Sequence, residues 1–492
     1  MKDDVTKPNL VFIMSDQQRF DTMACYGNDW INTPNLNKLS DQSFVFNNAY
    51  VTQPVCAPAR ASIMSGLYPH TAGSTVNLIP LNKEVKTIAQ MMDQDYKCGY
   101  LGKWHLGVDT VKKEGWDEWV SVEETRYPSQ SEIEYPLSDY HDWLIQNGFT
   151  PTQTNNSGKQ IFSMVDRAKL PAEFQMASFL AKKADDFIFR NKDNPFILYV
   201  STFEPHSPYS GPYDGMYDPN SLPTGPTFLK EPQNVSRINI ERAKYHTSFL
   251  KGEDQANDDY MNSYLASCGE DFSSKKGWLK ARADYFANIT LVDDMVGKIL
   301  DSIGNSKLDH KTIVVFTSDH GDMMGDHGIV EKRTFYEESV KVPMLIKIPW
   351  KKNRRIDGNF SHIDLVPTFL GLMNQPSQNH SQGKDQSSVF EDGNLLENEV
   401  FIEWNGTGTV EDRNLGSDQI NRLNKNPRRS IIFDRMKLNL TLNDDGELFD
   451  LNKDPYEEQN LFTEPKHQET IRAMKKKLIH WQIKNDDSFL FE

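Results

Sequence analysis

Six short apolar runs, each closed by turn residues, do most to restrict what this chain can fold into: "LVFIMSD", "FVFNNAYV", "CGYLGKWH", "FILYVSTFEPH", "TIVVFTSDHGD" and "VPMLIKIP". A strand with one wet face would carry a polar residue at every second position, so continuous hydrophobicity marks strands covered on both faces. Segments of helical period lie between the runs, as at 173 to 190 and 279 to 303. Strands alternating with helices predict an α/β fold, a mostly parallel sheet flanked by helices. From about residue 385 the pattern changes: "EVFIEW", "RSIIFD", "RMKLNLTL" and "GELFDL" follow one another as short strands, and one amphipathic helix comes after them at 468 to 484. The expected organisation is a large domain over 1–385 and a smaller C-terminal α+β subdomain with an antiparallel sheet over 386–492. Two long polar stretches, 107–172 and 207–278, rich in Tyr, Pro, Asn and Ser, interrupt the large domain. Insertions of that length in a compact domain are commonly functional loops, so they are candidate walls of a binding site.

An open α/β sheet binds its ligands at the carboxyl ends of its strands. That edge should carry Asp16 and Gln17 after the first run, Lys103 and His105 after "CGYLG", His206 after "FILYVSTFEP", and Asp319 and His320 after "TIVVFTS". Taken singly, each has a bland reading as a cap, a surface histidine or a solvated lysine. Taken together, polar groups from four separated segments converge on one edge. Asp16, Gln17, Asp319 and His320 offer the oxygen-rich shell that a hard divalent cation takes, although histidine is an unusual ligand for Ca²⁺.

The stretch "QPVCAPARASIMSG" adds a helix to that edge. Pro58 suits a first helical turn and Gly66 a stop, which places Cys56 at the amino end and Arg60 one turn on along the same side. The chain has four cysteines, Cys25, Cys56, Cys98 and Cys268, with no C-x-x-C pair, so neither a disulfide framework nor a cysteine zinc site is suggested. A buried inert thiol is the plain reading of Cys56. An activated side chain beside an anionic substrate is the other, because helix amino ends favour anions. With 54 basic and 70 acidic side chains the net charge is −16, which argues against nucleic acid as a partner. An anionic substrate would need a local cationic pocket. No apolar run approaches the ~20 residues that span a bilayer. "MKDDVTKPN" leads straight into a strand, so the protein is either cytoplasmic or, with a leader removed, periplasmic or secreted.

These residues carry a resemblance. "CAPAR" is similar to the C-x-P-x-R signature of the type I sulfatases in the alkaline phosphatase superfamily, and "SDQQ", "GKWH", "EPHSP", "TSDHGDMMGDHG", "EKRTFYEES" and "LFDLNKDPYEEQNL" resemble that family's other landmarks in the same order, from about residue 8 to 465. The resemblance implies an alkaline-phosphatase-like core and a sulfuric ester hydrolase. It implies that a formylglycine-generating maturation enzyme oxidises Cys56 to an aldehyde, whose hydrate supplies the attacking hydroxyl. Ca²⁺ or another divalent ion would be held by Asp16, Gln17, Asp319, His320 and position 56. By the same resemblance Asp319 takes the nucleophile's proton, His206, Lys332 or both protonate the departing alcohol, and His105 removes the second hydroxyl proton so that sulfate leaves and the aldehyde returns. Arg60 would hold the formylglycine and metal end while Lys103 and Lys332 clamp sulfate oxygens.

Two positions depart from the commonest family pattern: Gln17 where many relatives have aspartate, and His320 where many have asparagine. Both change the cation's oxygen ligands. A sulfated saccharide is the expected substrate, with Arg333, Trp404 and Asn405 as candidate outer contacts, and with "EWNGTGTVEDR" of the appendage available to join the insertions. Arg333 could instead pair with the acidic "YEES" that follows it. The alternatives are a phosphonate monoester or phosphodiester hydrolase using the same machinery, and a non-catalytic protein that binds sulfated glycans.

Overall fold

The computed structural model describes residues 7–124, 135–155, 158–251, 271–376, 381–396, 398–406 and 417–491. Among them run fifteen strands: β1 Asn9–Ser15, β2 Phe44–Tyr50, β3 Lys97–Gly102, β4 Glu118–Val120, the small hairpin β5 Gln153–Thr154 and β6 Gln160–Ile161, β7 Phe196–Ser201, β8 Thr312–Ser318, β9 Lys341–Val342, β10 Met344–Lys347, β11 Arg355–Ser361, β12 Val400–Trp404, β13 Arg428–Phe433, β14 Met436–Thr441 and β15 Glu447–Asp450. The main sheet has the order β11-β2-β10-β8-β1-β7-β3-β4, with β9 also paired to β2. Its strands run parallel except β9 and β10, so the "VPMLIKIP" run forms the antiparallel member of a sheet otherwise as expected.

Burial explains the continuous hydrophobicity. In β1, Leu10, Phe12 and Met14 point into one core and Val11 and Ile13 into the other, all at 0% exposure. The first core is closed by helices Cys56–Ser65 and Leu365–Leu372, the second by Met176–Asn191 and Lys275–Asn305. Strand order brings β1, β8, β7 and β3 side by side, and their carboxyl ends form one edge.

Strands β12-β13-β14-β15 form the separate antiparallel sheet. Helix Gln468–Lys484 covers it with Ile471, Met474, Leu478 and Trp481. This sheet is fastened to the large one: Glu403 N–H donates to Thr52 O at 2.8 Å, and the buried Lys437 ammonium reaches Glu337 and Glu457, each at 2.9 Å. Val389, Phe390 and Leu395 still pack in the first core of the main sheet, so the antiparallel pattern starts at Val400. The polar insertions are less irregular than expected, since they hold β4, helix Asp139–Gln146 and helix Arg237–Ser248. Among the described residues no helix is long and apolar enough to cross a membrane.

Candidate active site

Helix Cys56–Ser65 begins where expected, ends at Gly66 in the left-handed region (φ 71°), and is buried along all ten residues. It is pressed against the carboxyl edge of the sheet, so a cation on it must find its counter-charges inside. Arg60 does so. Its Nε donates to Asp319 Oδ2 at 2.8 Å and one Nη to Asp16 Oδ2 at 2.9 Å, while the other Nη donates to Ser201 Oγ at 2.8 Å and Lys103 O at 2.6 Å. One guanidinium thus ties together the ends of β1, β3, β7 and β8, a fork that lysine could not reproduce. Lys103 Nζ sits 2.7 Å from the same Asp16 oxygen and 4.6 Å above the Phe203 ring.

Cys56 Sγ lies at the centre. His320 Nε2 is 3.2 Å away, Lys332 Nζ 3.4 Å and Asp16 Oδ1 3.9 Å. Burial and Asp16 push the thiol's pKa up, but Lys332, Lys103 and His320 outweigh them and hold it below the usual value. Burial would likewise raise Asp16, yet the surrounding cations, Lys103 foremost, keep it well below the ordinary carboxylate range. The site therefore stabilises negative charge at and around position 56 although the protein as a whole is acidic.

Ligand atoms of Asp16, Cys56, Asp319 and His320 all lie within 4.8 Å of one another and are fully buried. Two buried carboxylates facing one point, with an imidazole beside them, fit a divalent cation. Gln17 stands next to this cluster with its amide engaged elsewhere. Its Oε1 accepts from Lys332 Nζ at 2.5 Å, and its Nε2 donates to Asp322. Asp322, also held by Tyr209 Oη at 2.8 Å, and Tyr209 itself are part of the site that sequence reasoning missed, as is Ser201. Asp322 stood within the "TSDHGD" run, three residues after Asp319, but only the fold shows that it faces Gln17.

His206 comes from the turn after β7. Its Nε2 is 2.9 Å from Lys332 Nζ and its Nδ1 is 2.9 Å from Ser207 O. Burial, then Lys332, hold its pKa well below the usual histidine value, so the ring is neutral. With Nδ1–H directed at the carbonyl, Nε2 is the acceptor facing the ammonium. His105 projects from the β3 edge next to Lys103, with its backbone N–H on Asp109 Oδ1 at 2.8 Å. Gly102 before it has φ 118°, and a Cβ there would meet Ser201 O at 1.9 Å, so only glycine lets β3 lie this close to β7. Gln17, His105, Glu331 and Arg333 all adopt positive φ, at 68°, 60°, 66° and 75°. Non-glycine residues rarely do so, and their concentration in the loops around Cys56 marks backbone held against its preference.

The outer candidates fare differently. Arg333 pairs with Glu331 at 2.7 Å and not with the "YEES" carboxylates. Trp404 is fully buried, its Nε1 donating to Asn424 O at 2.9 Å, which corrects the expectation of a substrate contact: the ring is core, stacked 4.9 Å from the Arg428 guanidinium. Asn405 is half-buried and donates to Gln53 Oε1 at 3.0 Å, just before the Cys56 helix. Of the "EWNGTGTVEDR" segment, 407–413 lie outside the described residues.

The sheet edge thus gathers buried carboxylates, a central residue 56 and a ring of lysine, arginine and histidine, an arrangement suited to hold a small anionic group. Residues 8–375 match the Sulfatase family and 325–484 match "N-sulphoglucosamine sulphohydrolase, C-terminal". The chain belongs to the sulfatase family and is a sulfuric ester hydrolase. It is 27% identical to the "Uncharacterized sulfatase YidJ" of Escherichia coli over 98% of this chain and 88% of that one. It is 24% identical to an N-acetylglucosamine-6-O-sulfatase of Bacteroides thetaiotaomicron, covering 79% and 72% of the two chains. The solved phosphonate monoester hydrolase of Agrobacterium radiobacter shares the fold, with a TM-score of 0.74 at 20% identity over 97% of this chain and 96% of that one. The family typically uses a metal ion and formylglycine, and the cluster at Asp16, Cys56, Asp319 and His320 is where this chain would hold them.

Proposed function

We propose that this enzyme removes sulfate from a saccharide, with Cys56 converted to formylglycine and Ca²⁺ or a similar divalent ion bound by Asp16, Asp319, His320 and position 56, Gln17 remaining a candidate fifth ligand. The observation that carries the reading is the convergence of a lysine, a histidine and a carboxylate from separate segments within 3.9 Å of Cys56 Sγ. The aldehyde and cation together would supply a nucleophilic hydroxyl and neutralise sulfate oxygens. Asp319, oriented by Arg60, is the base beside position 56. Lys103 and Lys332 are placed to bind sulfate oxygens, which a compact anion needs before another oxygen can attack. Lys332, with neutral His206 behind it, is placed to give the departing alcohol its proton, and His105 to take the proton that releases sulfate. The sugar assignment is supported by the N-acetylglucosamine-6-O-sulfatase relative and by the two polar insertions, with Arg333 and Asn405 as outer candidates.

Protein made in a host with a formylglycine-generating enzyme should show the aldehyde at Cys56 by peptide mass and by hydrazide labelling. Cys56→Ser, made where only cysteine is matured, should lose turnover of 4-nitrophenyl sulfate. Full activity in that variant would refute the formylglycine reading. Because a phosphonate monoester hydrolase shares the fold, a phenylphosphonate ester should be assayed alongside. Faster turnover on it than on any sulfate ester would favour that second reading.

A further inference from the structure

Lys332 is buried in the site, 2% exposed, yet among the described residues it pairs with no carboxylate. Its Nζ instead contacts Gln17 Oε1 at 2.5 Å, His206 Nε2 at 2.9 Å and Cys56 Sγ at 3.4 Å. An ammonium has three N–H donors and no acceptor. Gln17 and His206 take two, and the third is left for position 56. The aim of this cation therefore depends on Gln17, which must turn its oxygen and not its NH2 toward it. A carboxamide can present either end, so a neighbour has to choose.

The backbone of Gln17 is pinned by Asp319 Oδ1, which accepts its N–H at 3.0 Å, and by Tyr285 Oη, which donates to its carbonyl at 2.7 Å. Neither decides which way the carboxamide turns. Asp322, at 0% exposure, does. Its Oδ1 accepts Met324 N–H at 2.8 Å and Glu331 N–H at 3.1 Å, and its Oδ2 accepts from Tyr209 Oη at 2.8 Å and from Gln17 Nε2. A carboxylate on one side and an ammonium on the other admit a single orientation of the amide between them, because the flipped one would set donor against donor and acceptor against acceptor. Glu331 is also the residue before Lys332, so Asp322 holds Lys332 next to its backbone and, through Gln17, at its head.

We propose that Asp322 is a positioning residue for Lys332: it sets the orientation of the Gln17 carboxamide, and that orientation aims the ammonium at the ester held at position 56. The proposal rests on the role given to Lys332 above, and the test separates the two by exchanging the carboxylate and the carboxamide. Asp322→Asn offers Gln17 an NH2 and should flip its amide, turning a donor toward Lys332. Gln17→Glu alone sets two buried carboxylates in contact. The double variant restores an acceptor facing Lys332 with the total charge unchanged. Asp322→Asn should lose roughly 10- to 100-fold in kcat, the worth of one hydrogen bond to a charged group, and the double variant should regain about tenfold over it. The ratio of its losses on an alkyl sulfate and on 4-nitrophenyl sulfate should match that of Lys332→Met. A crystal structure of Asp322→Asn should show Lys332 Nζ displaced from position 56. If that variant does not fold, Gln17→Met, which removes only the acceptor, should give the same displacement and the same ratio. The proposal is overturned if Lys332 stays in place, if the double variant is no more active than Asp322→Asn, if the loss pattern differs from that of Lys332→Met, or if excess Ca²⁺ removes the loss, which would make Gln17 a cation ligand and not the anchor of Lys332. Failure of the wild type on every sulfate ester would instead sink the sulfatase reading, and the crystal structures would still decide whether Asp322 places Lys332.

Discussion

In Arg60→Met a thioether of similar reach replaces the guanidinium that joins Asp16 to Asp319. Asp16 keeps Lys103 at 2.7 Å. Asp319 keeps, among the described residues, the backbone N–H groups of Gln17 at 3.0 Å and His320 at 2.9 Å. Breaking a buried ion pair from one side costs about 3–5 kcal/mol, because the surviving charge stays buried without its partner. Two hydrogen bonds to charged groups, at roughly 1.5–3 kcal/mol each, give an overlapping range. For a chain of 492 residues the unfolding entropy is about 1 kcal/mol per kelvin, so Tm should fall by roughly 3–5 °C. Scanning calorimetry with a chelator and with excess Ca²⁺ makes the test specific. A cation bound between the two carboxylates replaces the missing positive charge, so the loss should shrink when Ca²⁺ is present. A shift below about 1 °C with chelator, or the same drop with and without Ca²⁺, would refute the role assigned to Arg60.

Two further outcomes follow from the protonation states. Because His206 is held neutral with Nε2 facing Lys332, Lys332→Met should cost on the order of 10²- to 10⁴-fold in kcat on an alkyl sulfate, at least as much as His206→Ala, and both losses should shrink on 4-nitrophenyl sulfate, whose leaving group needs no proton. Equal losses on both substrates would point to sulfate binding alone. Burial and Arg242 hold His246 at about 3, so below about pH 6.5 the unfolded chain takes up a proton that the folded one does not, and stability falls as pH falls. Urea unfolding at pH 7 and pH 4 should therefore show a slope shallower by roughly 1 kcal/mol per pH unit in His246→Leu than in the wild type, and parallel slopes would count against it.

Most of the architecture was legible because burial writes itself into composition. β1, β7 and β8 read as continuous apolar runs since both their faces are covered, and helix Gln468–Lys484 was found to the residue from its apolar stripe. β11 was missed for the same reason in reverse. It is an edge strand, "RIDGNFS", with its first half partly in water, so its sequence lacks the signature. The antiparallel course of β10 was not legible, because periodicity reports which faces are covered and carries no sign of direction.

The active site divides along the same line. The sequence by itself marked which residues could act, since strand-end polar groups and the Cys56 helix belong to an edge where α/β sheets bind ligands, and Cys56, Arg60, Lys103, His206, Asp319 and His320 do meet there, joined by Lys332, which only the family resemblance had singled out. It could not determine what each side chain faces. That Gln17 turns its amide to Lys332 and Asp322, that Arg60 spans four strand ends, and that Trp404 is core follow from strand order and from the antiparallel sheet packed behind the site. These partners are tens to hundreds of residues away along the chain, and only tertiary packing, by excluding water from between them, makes each polar atom choose the one neighbour left within reach.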